Sequence, residues 1–186
     1  ERAIAGGTNT LDAIQMVKEF RQKDQDTPVS LMGYLNPVEV IGYEKFVEIA
    51  NDAGVDGLIL VDLPPEEAQD FDAILAKHDM DQVFLLAPTS TDERIAHVVK
   101  QARGFIYYVS LKAVTGAATL DTKSAADRIA KIKQVTDLPV GVGFGISDAA
   151  SAKAMGQVAD AVIVGSAFVK PFAALSPSEA STKAVE

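Results

Sequence analysis

The chain has 186 residues, 48% of them hydrophobic and 23% charged, which suits a globular protein with a sizeable core and excludes a disordered one. A net charge of −9 argues against nucleic acid or an anionic membrane as partner, so an anionic ligand would depend on local donors. Cysteine is absent, which removes disulfides, thiolate metal sites and cysteine nucleophiles. His78 and His97 lie far apart in polar helical patterns, where a surface position is expected rather than a ligand or base. No apolar run has the length of a membrane span and no signal-peptide pattern opens the chain, so a cytoplasmic location is expected.

In chain order, residues 1–27 read as helix, interrupted at Gly6-Gly7, with Leu11, Ile14, Val17 and Phe20 on one face of the second segment. Residues 29–34 read as a strand ended by Asn36-Pro37, followed by a helix over 42–52 with Tyr43, Phe46, Val47 and Ala50 inward. The next strand is 57–62; Leu63 to Glu67 then puts prolines and acids where a helix first turn favours them, with Ala68, Phe71 and Leu75 inward. Residues 82–87 form a strand ended by Pro88, and Thr91-Asp92-Glu93 starts a helix burying Ile95, Val98, Val99 and Ala102. Residues 104–110 are again a strand. Leu111 to Thr122 is the longest connection, of the kind that serves as a lid or binding loop. Ala126, Ile129, Ile132 and Val135 mark the next helix; strands over 139–144 and 161–164 follow, with a helix opened by Ser147-Asp148 between them. Residues 173–186 are expected to be a frayed tail.

Two of these strands end in unusual turns. Gly143-Phe144-Gly145 leads into Ser147-Asp148, and about one unit later Val164 leads into Gly165-Ser166. Glycines at a strand end expose backbone N–H groups, and a following helix N-terminus favours an anion. A lone Gly-x-Gly needs no more than a tight turn; its repetition as Gly165-Ser166 points to one phosphate held between two consecutive strand ends. Strands apolar on both faces and joined by helices indicate a parallel α/β sheet. The glycine-rich turns on the last two strands, and no Gly-x-Gly-x-x-Gly after the first, favour a phosphate-binding (β/α)8 TIM barrel over a doubly wound sheet. Such a barrel has eight strands in about 250 residues. The strands found here match the third to eighth, so residues 1–186 are expected to form a single, incomplete barrel domain. Asp62, at a strand end, is on sequence grounds either a general base or a carboxylate that orients loops or caps the next helix.

Several segments together resemble the α chain of tryptophan synthase: Ser30 to Pro37 (Ser-Leu-Met-Gly-Tyr-Leu-Asn-Pro), Gly54 to Glu67, Gly104 to Ala117, Val142 to Ser147 and Val164 to Lys170. They occur in family order over about residues 2 to 170. The Tyr-Val-Ser-Leu-Lys and Val-Thr-Gly elements of the third segment set the pattern apart from related phosphate-binding barrels. The resemblance implies a retro-aldol lyase of tryptophan biosynthesis that cleaves indole-3-glycerol phosphate to indole and glyceraldehyde 3-phosphate, without metal or organic cofactor. It also implies a β-chain partner that receives the indole, in a heterotetramer. The chain would be partial, lacking the first strand, helix and second strand and the C-terminal end. The family's catalytic Glu and Asp map upstream of Glu1, so no catalytic carboxylate is expected within residues 1–186.

The same resemblance assigns Gly116, Gly143, Gly145, Gly165 and Ser166 to the substrate phosphate. It assigns Met32, Tyr34, Ile59, Val61, Tyr107 and Phe144 to the indole pocket, and Thr115 to support of the lid. Asp62 becomes architectural, and Asn36-Pro37 contact surface for the partner. Ala113 stands where many members carry glycine. Two other readings fit the residues: a non-catalytic, phosphate-ligand-binding or β-chain-regulating homologue, and another phosphate-sugar barrel isomerase.

Overall fold

The computed structural model describes residues 2–110, 122–143 and 145–175. Helices α1 (Arg2–Ala5) and α2 (Thr10–Arg21) precede the first strand, β1 (Ser30–Gly33). Then follow α3 (Leu35–Ile41), α4 (Tyr43–Asp52), β2 (Gly57–Leu60), α5 (Gln69–Ala76), β3 (Asp81–Gln82) and β4 (Phe84–Leu86). The rest is α6 (Asp92–Gln101), β5 (Ile106–Val109), α7 (Thr122–Lys133), β6 (Val140–Gly143), α8 (Ala149–Met155), β7 (Ala161–Ile163) and α9 (Ser166–Val169), with a 3-10 turn over Lys170–Ala174. Among the described residues no helix is long and apolar enough to cross a membrane.

One sheet has the order β1-β2-β3 and the other β4-β5-β6-β7. The pairs β1–β2, β2–β3 and β6–β7 are parallel, and a helix follows nearly every strand, the repeat of an incomplete (β/α)8 barrel. The chain divides into two compact units, residues 1–85 with 96–106 and residues 86–95 with 107–186.

The apolar runs predict the central strands well. All four residues of β2 and all four of β6 are buried. The edge strands β1 and β7 depart from that expectation, with exposed and half-buried residues, because each has a sheet neighbour on one side only. The expected strand over 82–87 is two strands. Asp81 and Val83 donate to Asp56 and Leu58 carbonyls beside β2, after which Phe84–Leu86 enters the other sheet.

Two helix starts differ from the sequence reading. Asn36-Pro37 does not end the strand as a turn: both residues lie in the first turn of α3, where a missing proline N–H costs nothing. Conversely, Pro64 to Glu67 stays outside α5. Glu67 and Ala68 donate to the Pro64 and Pro65 carbonyls as turns, and the helix starts at Gln69. On α2, Ile14 and Val17 are buried as expected, but Leu11 and Phe20 are exposed. On α7, Ile129 and Ile132 are buried while Val135, past the helix end, is exposed.

Arg21 ties the start of the first unit together. Its guanidinium donates to the carbonyls of Gly54 (2.8 Å) and Thr27 (2.7 Å) and to the Asp56 carboxylate (2.6 Å). Gly54 turns the chain after α4 at φ +86°, and Arg21 packs so closely over it that a side chain there would collide. Asp56 accepts from Val29 N–H as well, at 2.6 Å, and so joins the approach to β1 with that to β2. Removal of the guanidinium takes a donor from the half-buried Gly54 carbonyl and the exposed Thr27 carbonyl. Arg21→Ala is expected to lower unfolding free energy by about 1–2 kcal/mol in urea denaturation; a loss below about 0.5 kcal/mol would show that water replaces these bonds.

Candidate functional site

In the first unit the parallel register pairs Met32 of β1 with Ile59 of β2. Side chains two residues apart share a face of a strand, so Tyr34 follows Met32 and Val61 follows Ile59 just beyond the strand ends. Four predicted pocket residues therefore gather at the C-terminal ends of neighbouring strands. Ile59 is 7% exposed, whereas Met32 is 57% and Tyr34 66% exposed, and Val61 is also exposed. The backbone between them is fixed: Val61 N–H donates to the Gly33 carbonyl at 3.0 Å.

Asp62 has a defined local role. Its Oδ1 accepts from the backbone N–H of Leu35, the first residue of α3, at 2.8 Å. The carboxylate thus satisfies one of the donors left free at a helix start and ties the loop after β2 to the loop after β1. The bonded helix is α3, which precedes β2, so the hydrogen bond orients two loops and is not the cap on the next helix that the sequence suggests.

In the second unit β6 and β7 lie side by side, with Gly143 opposite Ile163. Beyond Gly143 the chain turns at Gly145, whose φ of +81° is a conformation that side chains rarely adopt. It then enters α8 through Asp148, which accepts from Ser151 N–H at 2.8 Å while the Ser151 hydroxyl reaches back toward the Asp148 N–H at 3.3 Å. The Ser151 N–H holds the Asp148 carboxyl below its usual range. Gly165 caps α9, and among the described residues a methyl group there would touch nothing within 4 Å. Ser166, the first residue of that helix, is exposed.

Tyr107 of β5 lies across Gly143. A methyl group on Gly143 would come within 2.6 Å of Tyr107 Cε2 and 2.8 Å of Cζ, so glycine is required for the ring to lie there. The tyrosine is 8% exposed, and burial pushes its phenol above the usual value. Ser110, just past β5, is 4% exposed and hydrogen-bonds the Gly143 carbonyl. Sequence reasoning included Ser110 in a motif without giving it a role; a serine that ends an apolar strand run was the available signal.

Thr115, Gly116 and Phe144, and with them Ala113, lie outside the described residues. Among the described residues no group of three or more His, Asp or Glu side chains could hold a metal ion. A cavity of about 420 Å³ in the second unit is lined, among the described residues, by residues including Pro88, Tyr108, Lys123 and Arg128, and by no predicted site residue among them. His97 lies 3.9 Å from Glu66 and 3.3 Å from Gln101, half exposed.

The contact of Tyr107 with Gly143 gives a direct test. Gly143→Ala is expected to destabilise the protein by about 1–3 kcal/mol, because the ring must move within a packed interior. Adding Tyr107→Ala should recover much of that loss in a double-mutant cycle read by urea unfolding. Strict additivity of the two substitutions would exclude the contact.

The family model described as tryptophan synthase alpha chain matches residues 1–186. A tryptophan synthase alpha chain from Acinetobacter baumannii is 76% identical over 185 residues, covering 100% of this chain and 69% of that protein. One from Psychrobacter arcticus is 56% identical, covering 99% of this chain and 66% of that one. Among solved structures, the tryptophan synthase complex from Pyrococcus furiosus is similar with a TM-score of 0.84 at 35% identity, covering 98% of this chain and 72% of that one. The alpha subunit from Legionella pneumophila has a TM-score of 0.83 at 37% identity, covering 98% and 69%. Other solved relatives are spanned over less than two thirds of their length, at 62–63%. Sequence and fold agree over the whole chain: it belongs to the tryptophan synthase alpha chain family.

Proposed function

We propose that the full-length protein carrying this chain is a carbon–carbon lyase that cleaves indole-3-glycerol phosphate to indole and glyceraldehyde 3-phosphate. It works in the cytoplasm and passes indole to a tryptophan synthase β chain. The observation that carries this reading is the pair of glycine-ended strands β6 and β7, side by side, with Gly145 at positive φ and, among the described residues, open space over Gly165. Backbone N–H groups at two adjacent strand ends, one leading into a short helix, form a phosphate cradle of the kind that barrels carry after their last two strands.

In this reading Gly143, Gly145, Gly165 and Ser166, with Gly116, receive the phosphate. Met32, Tyr34, Ile59, Val61, Tyr107 and Phe144 supply flat apolar surface for the indole ring. Thr115 supports closure of the site, and Asp62 keeps the loops after β1 and β2 in register rather than moving protons. The retro-aldol step needs one group to protonate indole C3 and another to remove a hydroxyl proton as the C–C bond breaks. In this reading the acid and base are the Glu and Asp that the family resemblance assigns to positions with no match in residues 1–186, and residues 1–186 bind the substrate's phosphate and ring. Residues 1–186 form one incomplete barrel domain with a tail over 173–186.

Calorimetry with glycerol phosphate on the full-length protein tests the cradle. Gly145→Val fills the turn and Ser166→Glu brings a like charge; each is expected to raise Kd about ten-fold or more, since hydrogen bonds to a charged group contribute roughly 1.5–3 kcal/mol each. Wild-type affinity in both variants would remove the phosphate assignment. Residues 1–186 expressed alone are expected to release no indole from indole-3-glycerol phosphate; turnover would place the acid and base within them.

A further inference from the structure

We infer that Ser110 is a positioning residue for the phosphate turn, acting through the carbonyl of Gly143. The Ser110 hydroxyl donates to this oxygen at 2.9 Å, and the Ser110 backbone N–H donates to the same oxygen, also at 2.9 Å. A carbonyl oxygen has two lone pairs, and here one residue engages both. Two donors on one acceptor fix the orientation of the peptide through which the chain leaves β6. On its other side Gly143 is held in register against Ile163 of β7, and the Tyr107 ring covers its Cα. The turn that carries Gly145 therefore starts from a backbone unit with little freedom to rotate. Ser110 is buried at 4% exposure, so water does not compete for these bonds.

The consequence is functional as well as structural. Backbone N–H groups bind phosphate only when they converge, and their convergence depends on the direction in which the chain leaves the strand. Loss of the hydroxyl leaves the backbone bond in place, so the fold persists while the carbonyl gains freedom to tilt. Ser110 thus sets the affinity of the cradle without touching the ligand. The inference rests on the phosphate reading of this turn.

The test uses the full-length protein, with glycerol phosphate affinity by calorimetry, steady-state kinetics and urea unfolding measured together. Ser110→Ala is expected to raise the glycerol phosphate Kd and the KM for indole-3-glycerol phosphate about five-fold, with kcat within about two-fold, as loss of one buried hydrogen bond implies. Ser110→Thr keeps the hydroxyl and should restore Kd to within about two-fold of the parent. A role in stability alone would shift the urea midpoint of Ser110→Ala and leave Kd unchanged, which overturns the inference. Equal weakening in the Ala and Thr variants also overturns it, since the hydroxyl would then not be the cause. If Ser110→Ala binds normally while Gly145→Val is impaired, the inference fails and the phosphate reading stands. If both bind normally, both fail.

Discussion

Parallel strand pairing is the constraint on which the remaining features depend. Two parallel neighbours cannot be joined by a tight turn, so the chain must cross back through a helix before the next strand begins. Each sheet therefore collects the C-terminal ends of its strands along one rim. The residues that follow β1 and β2 meet there, which brings Tyr34 near Val61 and lets Asp62 reach the Leu35 N–H. In the other sheet the same rule sets the glycine turns after β6 and β7 beside each other. Residues far apart in the chain become neighbours because the direction of the strands leaves them no other place.

Within that arrangement the smallest residue has the largest effect. Gly143 has no side chain, and the space thereby left is occupied by the Tyr107 ring. Its carbonyl accepts two hydrogen bonds from Ser110, and its strand pairs with β7. Three different contacts converge on one backbone unit immediately ahead of the Gly145 turn. Packing and hydrogen bonds within the protein thus fix that unit before any ligand arrives. Ser166, in the neighbouring turn, is exposed and opens a short helix.

Asp62 shows how a structure narrows what a side chain can do. A carboxylate at a strand end suits acid–base chemistry, but this one is occupied by a helix N-terminus in an adjacent loop. Its hydrogen bond ties the loop after β2 to the start of α3. The two strand ends joined by Asp62 also carry Met32 and Val61, so the loop tie and the apolar surface are parts of one arrangement.

Much of this was legible in the residues themselves. The apolar runs of β2 and β6 identify buried parallel strands because a strand covered on both faces has no polar side to display. Gly145 and Gly165 stand just after β6 and β7, where the ends of the two apolar runs put them. The break between β3 and β4 was not legible, because a continuous apolar run does not say where a strand changes partners. Nor were the starts of α3 and α5, since proline is tolerated both in a first helical turn and in the turns before one. The exposure of Met32 and Tyr34 depends on which strand lies at the sheet edge. The roles of Asp62 and Ser110 depend on partners 27 and 33 residues away. Sequence by itself determined the parallel β/α order and the glycines that follow β6 and β7, since both follow from local periodicity and backbone chemistry. Only the tertiary structure decided which side chains hold those turns, because a hydrogen bond across strands is set by register, and register is a property of the assembled sheet.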